Sequence, residues 1–266
     1  MVQFQDHSLP SWGAFPEGKG YDLQAFYLTT TDLPVKRNQM DNLWTKEQIE
    51  ALDQAGCKFT PGGSHISRTI MLAELKQVLD AVPSGSPSDT YRSAILTLNV
   101  LGKGTESTRQ KSLRHLRELY ALDEATPIFG LLRKLHTTDA ASLPLLAVQV
   151  AWARDPLLRA TTPPIMDVSE GERVETASLA QALEAAFPNQ YSELNRNKIA
   201  RNAASSWTQS GHLAGRATVM RLPTPARFAQ MRNPTCVVWA TLLRETAIAL
   251  DPTRRPNAIH GCHDGL

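Results

Sequence analysis

Acidic residues are missing from a long stretch of this chain. Between Leu194 and Arg244 there is no Asp or Glu, while eight Lys or Arg stand in the same window. The chain as a whole carries 28 Lys and Arg against 26 Asp and Glu, a net charge of +2. Such a total points to no partner, so the information lies in the distribution. Cysteine is scarce: Cys57, Cys236 and Cys262 are odd in number and widely spaced. That fits a reducing compartment better than a disulfide framework, so a cytoplasmic protein is expected. Long apolar runs are also lacking. The best one, "LPLLAVQVAWA" at 143–153, is too short to span a bilayer, and "MVQFQDHSLPSWGAF" has neither the basic start nor the apolar run of a leader, so no membrane partner is expected. There is no internal repeat and no low-complexity tract.

What is present reads as helices. Residues 1–60 form an arm rich in Pro, Gly and aromatics. It holds one short helix, "TKEQIEALDQAG", where Thr45 and Gln48 fit a capping box and Gly56 a stop. A second helix is expected from Ser64 or Ser67 to about Ala81. Two more lie either side of Gly102 and Gly104, with Thr105 or Ser107 capping the later one. In that later helix Leu113, Leu116 and Tyr120 share one face, and Lys111, Arg114 and Arg117 form a basic stripe on the other. Helices at about 127–136 and 142–153 follow, the second apolar on most sides and therefore central. The Pro-Pro and Gly of "RDPLLRATTPPIMDVSEGERV" mark a boundary between two lobes. The expected architecture is all-α: a helical lobe at 61–155, a second lobe at 173–250, and a tail at 251–266.

In the second lobe "TASLAQALEAAF" is a helix stopped by Pro188, and Ser192 can cap a longer one reaching Gln209. At helical pitch Ile199, Ala203 and Trp207 make an i, i+4, i+8 packing stripe. Lys198, Arg201, Asn202, Ser205 and Gln209 then face outward. Lys and Arg can neutralise phosphate or reach guanine, while Asn and Gln match adenine. Gly211 ends the helix, and a short hairpin carrying Arg216 and Arg221 is expected at about 212–222. Helix, turn, longer helix and basic hairpin is the order of a winged helix-turn-helix. Solvated faces usually mix both signs of charge, so the missing acid favours a nucleic-acid surface over an ordinary exterior.

Catalytic signatures are weak. "LGKGTES" would need Gly in place of Thr97 and Ser or Thr in place of Gly104 to be a phosphate loop. His260, Cys262 and His263 lack a fourth ligand at finger spacing. His65, His115, His136 and His212 are scattered, and there is no G-x-S-x-G. The best enzyme candidate is a nuclease using Asp155, Asp167, Glu170 and Glu172, and those carboxylates do not recur as a cluster. A non-enzyme without metal or cofactor is expected.

Two stretches, "AILTLNVLGKGTESTRQKSLRHLRELYALD" and "LNRNKIARNAASSWTQSGHLAGR", resemble corresponding parts of the BrxA family of bacterial BREX phage-defence systems, over roughly residues 64–222. The resemblance implies a helical protein with winged-helix-like parts that binds double-stranded DNA without catalysis, alongside other defence-system proteins. By position it brings Arg109, Lys111 and Arg114 of the first stretch, and Lys198, Arg201 and Asn202 of the second, into the binding surface. Two alternatives remain open: a protein–protein scaffold, and a helical module that binds RNA.

Overall fold

Apolar residues at helical spacing, bounded by caps and glycines, account for most of the architecture. The computed structural model describes residues 46–215 and 219–221, all of them within one compact unit, Pro34–Leu266. They are mostly helical. The helices are α1 (Lys46–Gln54), α2 (Leu72–Ala81), α3 (Ser88–Leu96), α4 (Glu106–Tyr120), α5 (Pro127–Thr138), α6 (Leu143–Arg154), α7 (Pro156–Ala160), α8 (Pro163–Met166), α9 (Thr176–Ala186) and α10 (Glu193–Gln209). Three short strands are interspersed: β1 (Arg173–Val174), β2 (Leu213–Ala214) and β3 (Val219–Arg221). The arm up to Thr45, Arg216 and the tail with His260, Cys262 and His263 lie outside the described residues.

Gly56 stops α1 as its sequence suggests. Its φ is +100°, and its N–H donates to the Asp53 carbonyl at 2.8 Å while Cys57 N–H reaches Leu52 at 2.9 Å. A Cβ there would stand 2.5 Å from Thr126 Cγ2 and 2.9 Å from Ile128 Cγ2, so the close approach also requires glycine.

The expected helix from Ser64 or Ser67 to Ala81 is corrected. Ser64–Ile66 is a 3₁₀ turn, and α2 begins only at Leu72, after Met71 at φ +49°. Tertiary hydrogen bonds have taken the intervening groups: Ile70 N–H donates to Ser206 Oγ at 3.0 Å, and Tyr120 donates its hydroxyl proton to the Ile70 carbonyl. An extended segment results where periodicity alone favours helix. The break after α3 likewise comes earlier than the glycine pair, at Leu96, with Asn99 at φ +51°. Thr105 caps α4 as expected, its Oγ1 accepting from Thr108 N–H at 3.2 Å.

The stretch expected as a boundary holds α7, α8 and β1. Asp155 caps α7, its Oδ1 accepting from the Leu157 and Leu158 N–H groups at 3.0 and 3.3 Å, with Pro156 at the first helical position. Helix α6 is buried on nearly every side, through Leu143, Leu145, Leu146, Val148 and Val150 among others, as its uniform apolarity requires. One hydrophobic cluster runs from Leu52 to Leu213, so the two sets of helices share a core. The hairpin expected at 212–222 is present as β2 and β3, antiparallel with Leu213 opposite Arg221. β1 pairs antiparallel on the other side of β3, Val174 opposite Val219, giving the order β1-β3-β2.

Candidate nucleic-acid interface

Helix α10 begins where Ser192 Oγ accepts from Asn195 N–H at 3.4 Å. Ile199, Ala203 and Trp207 are buried as the spacing requires, joined by Ala200, Ala204 and Ser206. The Trp207 Nε1–H donates to Thr161 Oγ1 at 3.0 Å, and its ring meets that of His212 edge-on at 5.1 Å. The opposite side presents Leu194, Lys198, Arg201 and Ser205 at i, i+4, i+7 and i+11, all exposed. Neither Lys198 nor Arg201 has a carboxylate partner among the described residues. Arg196 differs: it pairs with Glu184 at 2.7 Å and donates to the Tyr191 carbonyl.

Asn202 and Gln209, expected on the same outward face, are half-buried at its edge. Asn202 Nδ2 donates to the His65 carbonyl at 2.8 Å. Gln209 Oε1 accepts from Leu72 N–H at 3.5 Å, and its Nε2 donates to Ser205 Oγ at 3.3 Å. The segment 65–72 therefore borders the helix and leaves Lys198, Arg201 and Ser205 as its exposed polar stripe. Arg221 lies on β3, and Arg216 falls outside the described residues.

Beneath that edge lies a buried polar chain. His65 Nδ1 stands 2.7 Å from Asp155 Oδ2, and His65 Nε2 stands 2.8 Å from Ser206 Oγ. The three residues are fully buried. Ser206 Oγ also accepts from Ile70 N–H and donates to the Asn202 carbonyl at 2.9 Å. Burial alone would raise the Asp155 carboxyl. The His65 ring and the N–H groups of His65 and Leu158 outweigh that and hold it below the usual carboxylate range. Gly63 makes room for the carboxylate, since a Cβ there would stand 2.1 Å from Asp155 Oδ1. The order Ser, His, Asp is that of a nucleophilic triad, but this hydroxyl is sealed and already engaged. Its evident work is to fix α10 against the 64–70 segment and the start of α7. Nothing in the sequence brings positions 65, 155 and 206 together.

The basic stripe of α4 divides in two. Lys111 and Arg114 are exposed and Arg117 is half-buried, in keeping with the helical wheel. Arg109 is instead turned inward, its Nη1 donating to the Leu96 carbonyl at 2.9 Å. It caps the C-terminus of α3, whose carbonyls carry partial negative charge. Arg133 does the same for α2 through the Leu79 and Val82 carbonyls, and Arg154 for α4 through the Arg117 and Glu118 carbonyls at 3.2 and 3.1 Å. Arginine count is thus a poor guide to the interface, because several are consumed by helix ends.

Between α4 and α10 the structure opens a cleft of about 360 Å³, walled by Arg68, Glu74, Lys103, Thr108, Ser112 and Asn202 among others. Arg68 is exposed and stands near α4. Burial pushes the His115 imidazole below its ordinary value, and the positive charges of Arg114 and Arg68 act in the same direction. Arg68 sits in no basic cluster of the sequence, so only folding identifies it. The chain matches none of the protein-family models and none of the curated proteins with which it was compared.

Proposed function

We propose that the protein binds double-stranded DNA without catalysis, laying α10 in a groove and the β2–β3 hairpin along the backbone. The observation that carries this reading is the exposed stripe Lys198, Arg201 and Ser205 on a helix whose other face is locked into the core. The order α9, turn, α10, β2, β3, with β1 completing the sheet beside β3, suits a winged helix-turn-helix. Exposed Lys111 and Arg114 on α4 extend the basic surface. Together with the sequence resemblance, these features support a DNA-binding component of a BREX-like phage-defence system.

The test is duplex binding as a function of salt, with Lys198→Ala and Arg201→Ala combined. Both side chains are exposed, so the variant folds like the parent. Each neutralised phosphate contributes about 0.9 to the slope of log affinity against log salt, so the loss of two should flatten it by roughly 1.8. Equal retardation of duplex by parent and folded variant at every salt concentration would overturn the reading. A preference for structured RNA of the same length would move it to RNA. The competing scaffold reading draws on Leu194, which is 76% exposed at the start of the same stripe. With the basic window meeting acidic protein surfaces instead of phosphate, it expects a stable protein complex and little retardation of duplex by the parent.

A further inference from the structure

The cleft between α4 and α10 has the composition of a site for a singly charged oxyanion. Ser112 on its α4 wall is only 2% exposed, and its hydroxyl makes no hydrogen bond to any described residue. A hydroxyl without a described protein partner at the edge of a polar cleft is open to an oxygen that enters it. Thr108 stands one turn earlier on the same wall, its Oγ1 2.8 Å from Thr105 Oγ1, which can donate to it and leave the Thr108 proton for a ligand. Arg68 lines the same cleft and is exposed, and its guanidinium has no carboxylate partner among the described residues. Among the described residues its one side-chain hydrogen bond is a long 3.4 Å contact to the Ser67 carbonyl. Lys103 and Glu74 also line the space, but they neutralise each other at 3.1 Å.

The charge count limits what fits. With Lys103 and Glu74 cancelled, one positive charge remains, that of Arg68. A phosphodiester carries one negative charge, whereas a terminal phosphate near neutral pH carries closer to two. The cleft also opens beside the exposed stripe of α10, since Asn202 belongs both to its wall and to that helix.

We infer that this cleft receives a backbone phosphodiester of the nucleic acid bound along α10, with Arg68 supplying the charge and Ser112 and Thr108 the hydroxyl donors. The inference rests on the DNA-binding reading above. It extends the contact from one helix to a surface that includes the Arg68 turn and the first half of α4.

The experiment compares duplex affinity against salt for the full chain, Arg68→Ala, Ser112→Ala and the Lys198→Ala, Arg201→Ala double variant. Thermal melting establishes that each is folded. Arg68→Ala should lower affinity on the order of tenfold and flatten the salt slope by about 0.9. Ser112→Ala should weaken binding several-fold and leave the slope unchanged, because a hydroxyl releases no counterion; a purely long-range role for Arg68 would leave that variant at parental affinity. If both single variants bind as the parent does while the double variant is weakened, the cleft inference fails and the α10 reading stands. If the parent itself does not retard duplex, both fail. Inorganic phosphate, titrated at constant ionic strength, separates the remaining source. Saturable shifts of the Ser112 and Thr108 amide resonances, with duplex affinity unaffected by either substitution, would mean a free phosphorylated ligand and overturn the backbone assignment.

Discussion

Ser206→Ala removes one oxygen from the interior, and the structure says what that oxygen holds. Ile70 N–H, buried with its residue, donates to Ser206 Oγ and to no other described acceptor. His65 Nε2, equally buried, has Ser206 as its partner at 2.8 Å. The third bond, to the Asn202 carbonyl, is cheap to lose, because that oxygen lies inside α10 and keeps its helical acceptor role. Two buried polar groups are therefore orphaned, at about 1–3 kcal/mol each. The expected loss is roughly 2–6 kcal/mol, a large part of the 5–15 kcal/mol typical of a domain. Equilibrium urea denaturation followed by far-UV circular dichroism measures it. With an m-value on the order of 2 kcal/mol per molar, the midpoint should fall by about 1–3 M with little change in slope. Ser205→Ala, next along the chain but exposed, is the control and should stay within about 0.5 kcal/mol. If the two variants are equally stable, the buried chain does not tie α10 to the 64–70 segment, and the account of this interface is wrong.

Trp207, 3% exposed, packs against His212 and donates to Thr161, so Trp207→Ala should cost on the order of 3–5 kcal/mol in the same assay, and a loss below about 1 kcal/mol would place the ring outside the core. Acid should weaken the fold before carboxylates titrate. Burial first, then Arg114 and Arg68, depress His115, and burial first, then Arg133, depress His136. The unfolded chain thus takes up protons at these sites first, near the ordinary imidazole value of about 6.5. Their contribution is complete above that pH and is lost as pH falls through the lowered folded values. The urea midpoint should drop between pH 7.5 and 5.5, less so in His115→Gln, and a flat or rising midpoint would contradict both environments.

The parts of α10 that depend on local chemistry were legible in the sequence. Ser192, the Ile199, Ala203, Trp207 spacing and Gly211 give its cap, its buried face and its stop, because hydrogen bonding and helical pitch act over a few residues. The same holds for α4, where Thr105 and the Leu113, Leu116, Tyr120 stripe suffice. Asn202 and Gln209 show where that reasoning ends. A helical wheel places them outward, but it does not know that residues 65–72 will run along the edge and bond to both. Arg109 entered the binding surface through the sequence resemblance, by position alone, and folding turned it onto the Leu96 carbonyl.

The amino-acid sequence by itself determined the all-α class, most of the helices and the buried stripe of Ile199, Ala203 and Trp207, since each follows from periodicity and capping within one segment. The tertiary structure alone decided the late start of α2, the buried chain of His65, Asp155 and Ser206, the pairing of β1 with β3, and the cleft that brings Arg68 and Ser112 together. These join residues tens of positions apart. Their partners are chosen by the need to satisfy every buried polar group in a shared core, a condition that exists only once the chain has folded.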